Sequence, residues 1–144
     1  MEILLINRPA PLAGLDDIPL PSQDAPRAQA LVARCPVAAE TPLHSATSIA
    51  THAGVQDVWI KDERGRMGLG SFKALGAAYV IASDAQEGSV AARTYVTASA
   101  GNHGMSVAAG ASAFGASSVV YIAQTVPESF AERLKEQGAR VVRE

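Results

Sequence analysis

From residue 47 onward, short apolar runs alternate with stretches in which apolar residues recur at helical spacing. The apolar runs lie at residues 58–61, 94–97, 118–123 and 140–142, and each has the length of a buried strand. The stretches between them can form helices, and the connections are short. This βαβαβαβ succession predicts an open parallel sheet of βα units in a three-layer, Rossmann-like α/β fold.

The first helix between the predicted strands follows a glycine-rich loop at residues 62–70. Ser71 is a candidate N-cap, because its hydroxyl can accept a hydrogen bond from a first-turn N–H. Phe72, Leu75 and Tyr79 fall on one face of a helix that extends to about residue 83. The charged residues of the loop are expected to be solvated and to form local ion pairs. They are Asp62, Glu63, Arg64 and Arg66.

Two further helices have recognisable ends. One begins near Asn102 and stops at Gly115, and the next begins near Pro127 and stops at Gly138. Proline is tolerated in the first helical turn, and glycine readily adopts the left-handed conformation that follows a helix. The expected inner faces are Val107, Ala111 and Phe114 for the former helix, and Phe130, Ala131 and Leu134 for the latter.

The beginning of the chain has a different character. Seven of the eight prolines lie within residues 1–45. That density excludes long regular elements there, apart from a short helix across residues 25–33. We therefore expect an irregular segment at residues 1–45 that wraps a larger body, and an α/β domain at residues 46–144.

Composition narrows the classes of partner. The net charge is −2 and no basic stripe is present, so nucleic acid is not expected as a partner. No apolar stretch approaches the roughly 20 residues of a membrane span. Cys35 is the only cysteine, which excludes an internal disulfide and predicts a cytoplasmic protein. The spacing of Cys35 from His44, His52 and His103 does not suit a metal site.

Two places in the chain are candidates for chemistry. A neutral lysine amine such as that of Lys73 can form a Schiff base with an aldehyde cofactor, although Lys73 alone would be interpreted as a solvated surface lysine. The other place is the small-residue turn at residues 99–104, where a strand ends and a helix begins. Outward-pointing helix N–H groups bind anions at such a turn, and Gly101 and Gly104 allow a close approach. The alternative there is plain helix capping.

Both places lie in runs that resemble known motifs. Residues 59–77 are similar to the cofactor-lysine region of fold-type II pyridoxal-phosphate enzymes, the group of the tryptophan synthase β-subunit and threonine dehydratase. Residues 96–104 resemble the second motif of that group, and residues 41–43 resemble its threonine-proline-leucine entry segment. The resemblance covers roughly residues 40–144. It implies pyridoxal 5'-phosphate as the cofactor and a small amino acid as the substrate.

The resemblance also implies roles for individual residues. Lys73 would hold pyridoxal phosphate covalently and later move the substrate α-proton. Phe72 would lie against the cofactor, and Asn102 would hydrogen-bond its phenolic oxygen. The turn would surround the substrate α-carboxylate through Ser99, Ala100, Gly101 and His103. β-Elimination would give an aminoacrylate that hydrolyses to a 2-oxo acid and ammonia.

The two motifs point to different members of the group. Residues 68–77 look most like those of diaminopropionate ammonia-lyases, which would eliminate ammonia from 2,3-diaminopropionate. Those enzymes carry an acidic residue where this chain has Ala100, and residues 99–103 look more like those of serine/threonine dehydratases. Our interpretation is a diaminopropionate ammonia-lyase-like sequence, with a serine/threonine dehydratase as the alternative.

The resemblance further implies parts that these residues do not contain. Family members have a glycine-rich phosphate-binding segment and a partner for the pyridine nitrogen, both far downstream of the region that ends here at Glu144. We therefore expect the N-terminal portion of such an enzyme, incomplete relative to the full fold and inactive alone. It would work as a homodimer or with a complementary C-terminal segment. The remaining alternative is a truncated, non-catalytic α/β binding module.

Overall fold

The computed structural model describes residue 22 and residues 24–144. Much of the expected wrapping segment, residues 1–21 and 23, lies outside the described residues, and the division of the chain at residue 45 stays a prediction. In chain order the elements are α1 (Ala25–Val32), β1 (Leu43–Ser45), α2 (Thr47–Ala53), β2 (Trp59–Lys61), a 3₁₀ turn (Arg66–Gly68), α3 (Lys73–Glu87), β3 (Thr94–Ala98), α4 (Asn102–Ala113), β4 (Ser117–Ile122), α5 (Glu128–Glu136) and β5 (Ala139–Arg143).

Residues 94–143 form what we call the parallel unit. Its strands lie in the order β3-β4-β5 and all run parallel, so the predicted α/β class with an open sheet of parallel βα units is confirmed. Helices α4 and α5 contact each other and the sheet. Both cover the same face, because alternate residues of β4 share one core cluster with the two helices. On the opposite face Val96 is 62% exposed.

The parallel unit is held together by apolar burial. Val120 and Leu134 are completely buried, and burying a side chain of that size stabilises a fold by about 1.5–3 kcal/mol. The core cluster comprises Met105, Ala108, Val120, Ile122, Ala131, Leu134 and Ala139.

The predicted ends of α4 and α5 are confirmed. Gly115 and Gly138 follow these helices with φ angles of +72° and +89°, the left-handed conformation that glycine favours. The inner face of α5 is also as expected. Phe114, expected on the inner face of α4, is instead 43% exposed, because α4 ends at Ala113. Met105 and Ala108 fill the inner face in its place.

The run at residues 58–61 was expected in the parallel sheet, and that prediction is wrong. Strand β2 pairs antiparallel with β1, three residues against three. Backbone bonds from Ala46 to Val58 and from Asp62 to Pro42 extend this ladder at both ends. The nearer antiparallel partner thereby satisfies the backbone groups of β2 without a crossover connection. We call residues 41–72 the ribbon region.

Helix α3 is longer than predicted and buries a different face. It reaches Glu87, and Ala74, Ala77 and Ile81 are buried in place of the expected stripe of Phe72, Leu75 and Tyr79. The reason is close packing on α4, where a Cβ atom on Gly110 would lie 2.9 Å from Ile81 Cδ1. With 15 residues, α3 is the longest helix among the described residues. None of the helices in residues 24–144 is long and apolar enough to cross a membrane.

Candidate functional site

A cavity of about 520 Å³ lies where the ribbon region meets the parallel unit. Ser71 and Phe72 line it from the loop before α3, and Asn102 lines it from the first residue of α4. Two stretches that the sequence analysis singled out separately therefore face one space. The other lining residues are His44, Ile60, Lys61, Asp62, Glu63, Arg64 and Gly70.

Lys73 is the first residue of α3 and is exposed. It is not among the residues that line the cavity, although Phe72 directly before it is. Ser71, the predicted N-cap, precedes the structural cap residue Phe72, but its hydroxyl accepts a hydrogen bond from the Lys73 N–H at 3.2 Å. Ser71 therefore fixes the start of the helix in the way that a capping side chain does.

The turn at residues 99–104 is shaped by Ser99 and Gly104. The Ser99 hydroxyl accepts hydrogen bonds from the N–H groups of Gly101 and Gly104, at 3.3 and 3.1 Å. A Cβ atom on Gly104 would lie 3.0 Å from the Ser99 carbonyl oxygen and 3.1 Å from Val120 Cγ1. A side chain at position 104 would therefore need the Ser99 backbone or the Val120 side chain to move by a few tenths of an ångström.

Two backbone N–H groups in the first turn of α4 remain without a hydrogen bond to the described residues after this capping. Within the described part of the chain, the backbone N–H groups of Asn102 and His103 donate no hydrogen bond. Both residues are exposed. N–H groups at the positive end of a helix dipole are favourable partners for an anion, so the capping by Ser99 leaves the predicted anion-binding role of this turn open.

The other predicted turn residues lie beside Asn102 without lining the cavity. Ser99 and Gly101 are half-buried, whereas Ala100 and His103 are exposed. The structure thus brings Phe72 and Asn102 to one cavity, and it places Lys73 and the turn next to its two walls.

Sequence reasoning missed a polar cluster in the ribbon region, which we call the Arg66 cluster: Thr41, Lys61, Glu63 and Arg66. The expectation of a solvated loop is wrong for two of its members, because the side chains of Arg66 and Glu63 are only 12% and 18% exposed. Arg66 bonds to Glu63, Thr41 and the carbonyl of Ala39. Thr41 also donates to Glu63, and Lys61 donates to the Thr41 carbonyl. No local spacing signals contacts this distant in sequence.

The remaining loop charges behave as expected. Arg64 is 88% exposed and pairs with Asp62 across two N–H groups.

The electrostatics of the loop follow from these pairs. Hydrogen bonds from Arg64 hold the pKa of Asp62 well below its ordinary value. Hydrogen bonds from Arg66 and Thr41 lower the pKa of Glu63 to about 2. Both carboxylates are therefore ionised near neutral pH. Chemically, the site combines a primary amine at the start of α3, an asparagine that lines the cavity, and a turn at the start of α4 with two N–H groups that make no hydrogen bond within residues 24–144.

The sequence and the structure of this chain are similar to those of known proteins. A family model described as pyridoxal-phosphate dependent enzyme matches residues 35–143, which include both the Arg66 cluster and the turn.

Individual relatives include lyases and dehydratases. The diaminopropionate ammonia-lyase of Salmonella typhimurium is 32% identical over a region that covers 74% of this chain and 31% of the relative. The L-serine dehydratase/L-threonine deaminase of mouse is 33% identical over 71% of this chain and 30% of the relative. The chain therefore spans about a third of the length of the curated relatives that it matches.

Solved structures agree with these sequence matches. Escherichia coli diaminopropionate ammonia lyase, in complex with an aminoacrylate-PLP azomethine reaction intermediate, superposes with a TM-score of 0.74 and 28% identity, covering 81% of this chain and 33% of that chain. Maize serine racemase superposes with a TM-score of 0.67 and 32% identity, covering 82% of this chain and 34% of that chain.

Proposed function

Because the chain belongs to the family of pyridoxal-phosphate dependent enzymes, we propose that it forms the cofactor-lysine portion of an ammonia-lyase. The substrate is a small amino acid such as 2,3-diaminopropionate, and the products are a 2-oxo acid and ammonia. The similarity to diaminopropionate ammonia-lyases, in sequence and in structure, supports this reaction.

One observation carries the proposal: Phe72, which directly precedes Lys73, lines the same cavity as Asn102. The two residues are 30 positions apart in sequence and stand at the starts of α3 and α4, two helices that pack against each other. Their convergence on a cavity of about 520 Å³ supports a shared ligand of small-molecule size.

The residues present fit pyridoxal phosphate, which supplies an electron sink when bound. Lys73 provides the amine for covalent attachment and, later, the base that moves the substrate α-proton. Phe72, 62% exposed at the cavity wall, offers an apolar face for an aromatic ring. The Asn102 amide donates a hydrogen bond to the ring's phenolic oxygen.

The turn orients the amino acid. The free N–H groups at the start of α4 bind the α-carboxylate, and Ser99, Ala100, Gly101 and His103 surround it. The Ser99 hydroxyl already holds the turn by accepting hydrogen bonds from the N–H groups of Gly101 and Gly104. The N–H groups of Asn102 and His103 therefore need no rearrangement when the carboxylate binds.

Borohydride trapping tests the cofactor lysine. The chain has three lysines, Lys61, Lys73 and Lys135. We expect incubation with pyridoxal phosphate, reduction and peptide mapping to find the label on Lys73. The experiment uses two preparations. One is the chain alone, and the other, the mixed preparation, is the chain together with the downstream part of a diaminopropionate ammonia-lyase.

Two variants make this test decisive. Lys73→Ala should abolish the label, whereas Lys135→Ala should leave it intact, because Lys135 is an exposed partner of Glu128. A label on Lys61, which lines the cavity, or equal labelling of all three lysines would overturn the assignment of Lys73.

A second candidate function is that of a serine/threonine dehydratase, and Ala100 favours it because no acidic side chain stands at that position. The similarity to the mouse dehydratase supports it as well. The mixed preparation distinguishes the two. Diaminopropionate yields two ammonia molecules per 2-oxo acid, and serine yields one. Turnover of serine with no turnover of diaminopropionate would select the dehydratase.

The remaining proposals concern the setting of the protein. A non-catalytic α/β binding module is the alternative that a complete lack of lysine labelling would favour. A cytoplasmic location rests on the single cysteine. Assembly as a homodimer or with a complementary segment stays a proposal, which sedimentation of the chain with and without the downstream part tests.

A further inference from the structure

The Arg66 cluster joins stretches of chain that are distant in sequence. Arg66 donates to the Ala39 carbonyl and to the Thr41 hydroxyl, 27 and 25 residues upstream, at 2.7 and 2.8 Å. It also holds the Glu63 carboxylate with two N–H groups, at 2.7 and 2.8 Å. A planar guanidinium makes this two-point contact, whereas a lysine ammonium cannot. The cluster thus ties the loop before α3 to the chain that enters β1.

The loop after Arg66 needs such an anchor. Met67 has a φ angle of +50°, and Gly68 and Gly70 follow with +70° and +75°. A left-handed conformation is strained for a side chain like that of methionine, and the surrounding structure must enforce it. Arg66 and Gly68 bound the 3₁₀ turn that contains Met67, so the anchor sits directly at the strained residue.

The end of this loop determines where Lys73 lies. The loop ends at Ser71, which is buried and accepts the Lys73 N–H. Ala74, one residue beyond Lys73, is 1% exposed and packed. Lys73 is therefore fixed on its helical side by packing. On its loop side it depends on the conformation of residues 66–71.

We infer that Arg66 is a positioning residue for Lys73: together with Glu63 and Thr41 it holds the loop that sets Phe72 at the wall of the cavity and Lys73 directly after it in the chain. This inference rests on the proposed function, since Lys73 is the cofactor lysine there. Arg66 itself touches no reacting atom. Its effect is exerted through the loop.

The test compares variants by the rate of pyridoxal-phosphate labelling at Lys73. Arg66→Met and Glu63→Gln should each slow labelling roughly 10-fold or more, the effect of a small misplacement of a reacting group. Arg66→Lys should not restore the rate, because it keeps the charge and loses the two-point contact. The double variant should be no slower than Arg66→Met, because the two side chains act as one unit.

Arg143 provides a matched control. It also bonds to several backbone carbonyls, those of Ala123, Gln124 and Val126, and to the Glu128 carboxylate. It lies at the end of β5 and is absent from the cavity wall. Arg143→Met should lower the thermal unfolding midpoint and leave the Lys73 labelling rate unchanged.

Each outcome decides the inference. Slow labelling in the Arg66 and Glu63 variants, with a normal rate in Arg143→Met, supports it. Unchanged labelling in Arg66→Met overturns it. Labelling that slows in all variants in proportion to lost thermal stability also overturns it, because the role is then only structural.

A second measurement separates this inference from the proposed function. If the wild-type chain takes no label on Lys73, the proposed function fails, and hydrogen exchange of the amides at residues 64–73 decides about Arg66. If these amides exchange faster in Arg66→Met than in the wild-type chain, and at the wild-type rate in Arg143→Met, then Arg66 holds the loop. Unchanged exchange in both variants overturns that role as well.

Discussion

The two walls of the candidate cavity are built by different physics. Asn102 projects from the parallel unit, in which completely buried side chains such as Leu134 stabilise the sheet and its helices. Phe72 lies at the end of the ribbon region, directly before Lys73, and the two strands of this region expose all of their residues. There the Arg66 cluster supplies hydrogen bonds and ion pairs instead. One wall is therefore fixed by burial and the other by directed polar contacts.

Truncating the apolar core should have the largest effect. Leu134→Ala is expected to lower the free energy of unfolding by about 2–5 kcal/mol, through lost burial and a cavity. Urea unfolding followed by far-UV circular dichroism measures it. Val96→Ala, on the exposed face of the same sheet, should change the free energy by less than about 0.5 kcal/mol. Equal effects of the two substitutions would contradict the description of the parallel unit.

A smaller loss is expected where the turn meets the sheet. Gly104→Ala places a methyl group against the Ser99 carbonyl oxygen and Val120. The Ser99 N–H is bonded to the Tyr121 carbonyl, so the backbone cannot easily yield. Overpacking of this kind costs about 1–3 kcal/mol, which exceeds the gain of about 1 kcal/mol from replacing glycine in a helix. Thermal unfolding should show net destabilisation.

Gly76 supplies the matched substitution for that experiment. It lies in α3, and a Cβ atom there would meet nothing within 4 Å. Gly76→Ala should therefore stabilise the protein by about 0.5–1 kcal/mol. Helix propensity favours alanine at both positions, so destabilisation by Gly76→Ala would mean that the loss in Gly104→Ala cannot be assigned to the contacts at position 104.

Acid should affect the ribbon region before the parallel unit. The folded-state pKa of Glu63 is lowered from 4.5 to about 2, so its stabilisation is present above pH 4.5 and is lost as the pH falls toward 2. Trp59, the single tryptophan, lies in β2 and reports on this region by fluorescence. We expect its transition at a higher pH than the loss of helical circular dichroism.

A single substitution checks the origin of that transition. Glu63→Gln removes the titrating group, so it should flatten the pH dependence of the Trp59 signal. An unchanged midpoint would assign the transition to other carboxylates, such as Glu128, whose pKa is lowered by Arg143 and Lys135.

The smallest effect is expected for an exposed ion pair. Lys135 and Glu128 lie 3.2 Å apart, with 56% and 59% of their side chains exposed. Lys135→Met should change the free energy of unfolding by less than about 1 kcal/mol, and added salt should reduce the difference further. A larger loss would show that polar contacts also stabilise the parallel unit.

The same contrast explains what the sequence could predict. The helices and strands of the parallel unit have local signals, such as Gly115 and Gly138 at helix ends and the continuous apolar run in β4. The family resemblance and the expected cofactor are likewise confirmed. They could be predicted because each of the two motifs is a short continuous stretch of sequence. The roles of Lys73, Asn102 and the turn residues stay predictions.

What could not be predicted depends on contacts between distant residues. The pairing of β2 with β1 is set by a partner beyond α2, and three-residue strands carry too little pattern to identify it. The buried face of α3 depends on Gly110, on another helix. Arg66 looked like one more solvated loop charge, because its acceptors at Ala39 and Thr41 lie far upstream.

The exposure of Arg64 has a consequence for proteolysis. The Arg64 side chain is 88% exposed and lies next to Gly65, so a trypsin-like protease would cut at the peptide bond between these two residues. The C-terminal product would keep Lys73 and Asn102 on one piece. The N-terminal product, which carries Ala39 and Thr41, would stay attached through Arg66 rather than through the chain. A nicked protein would thus become a two-fragment complex in which the Arg66 contacts are an interface between separate molecules.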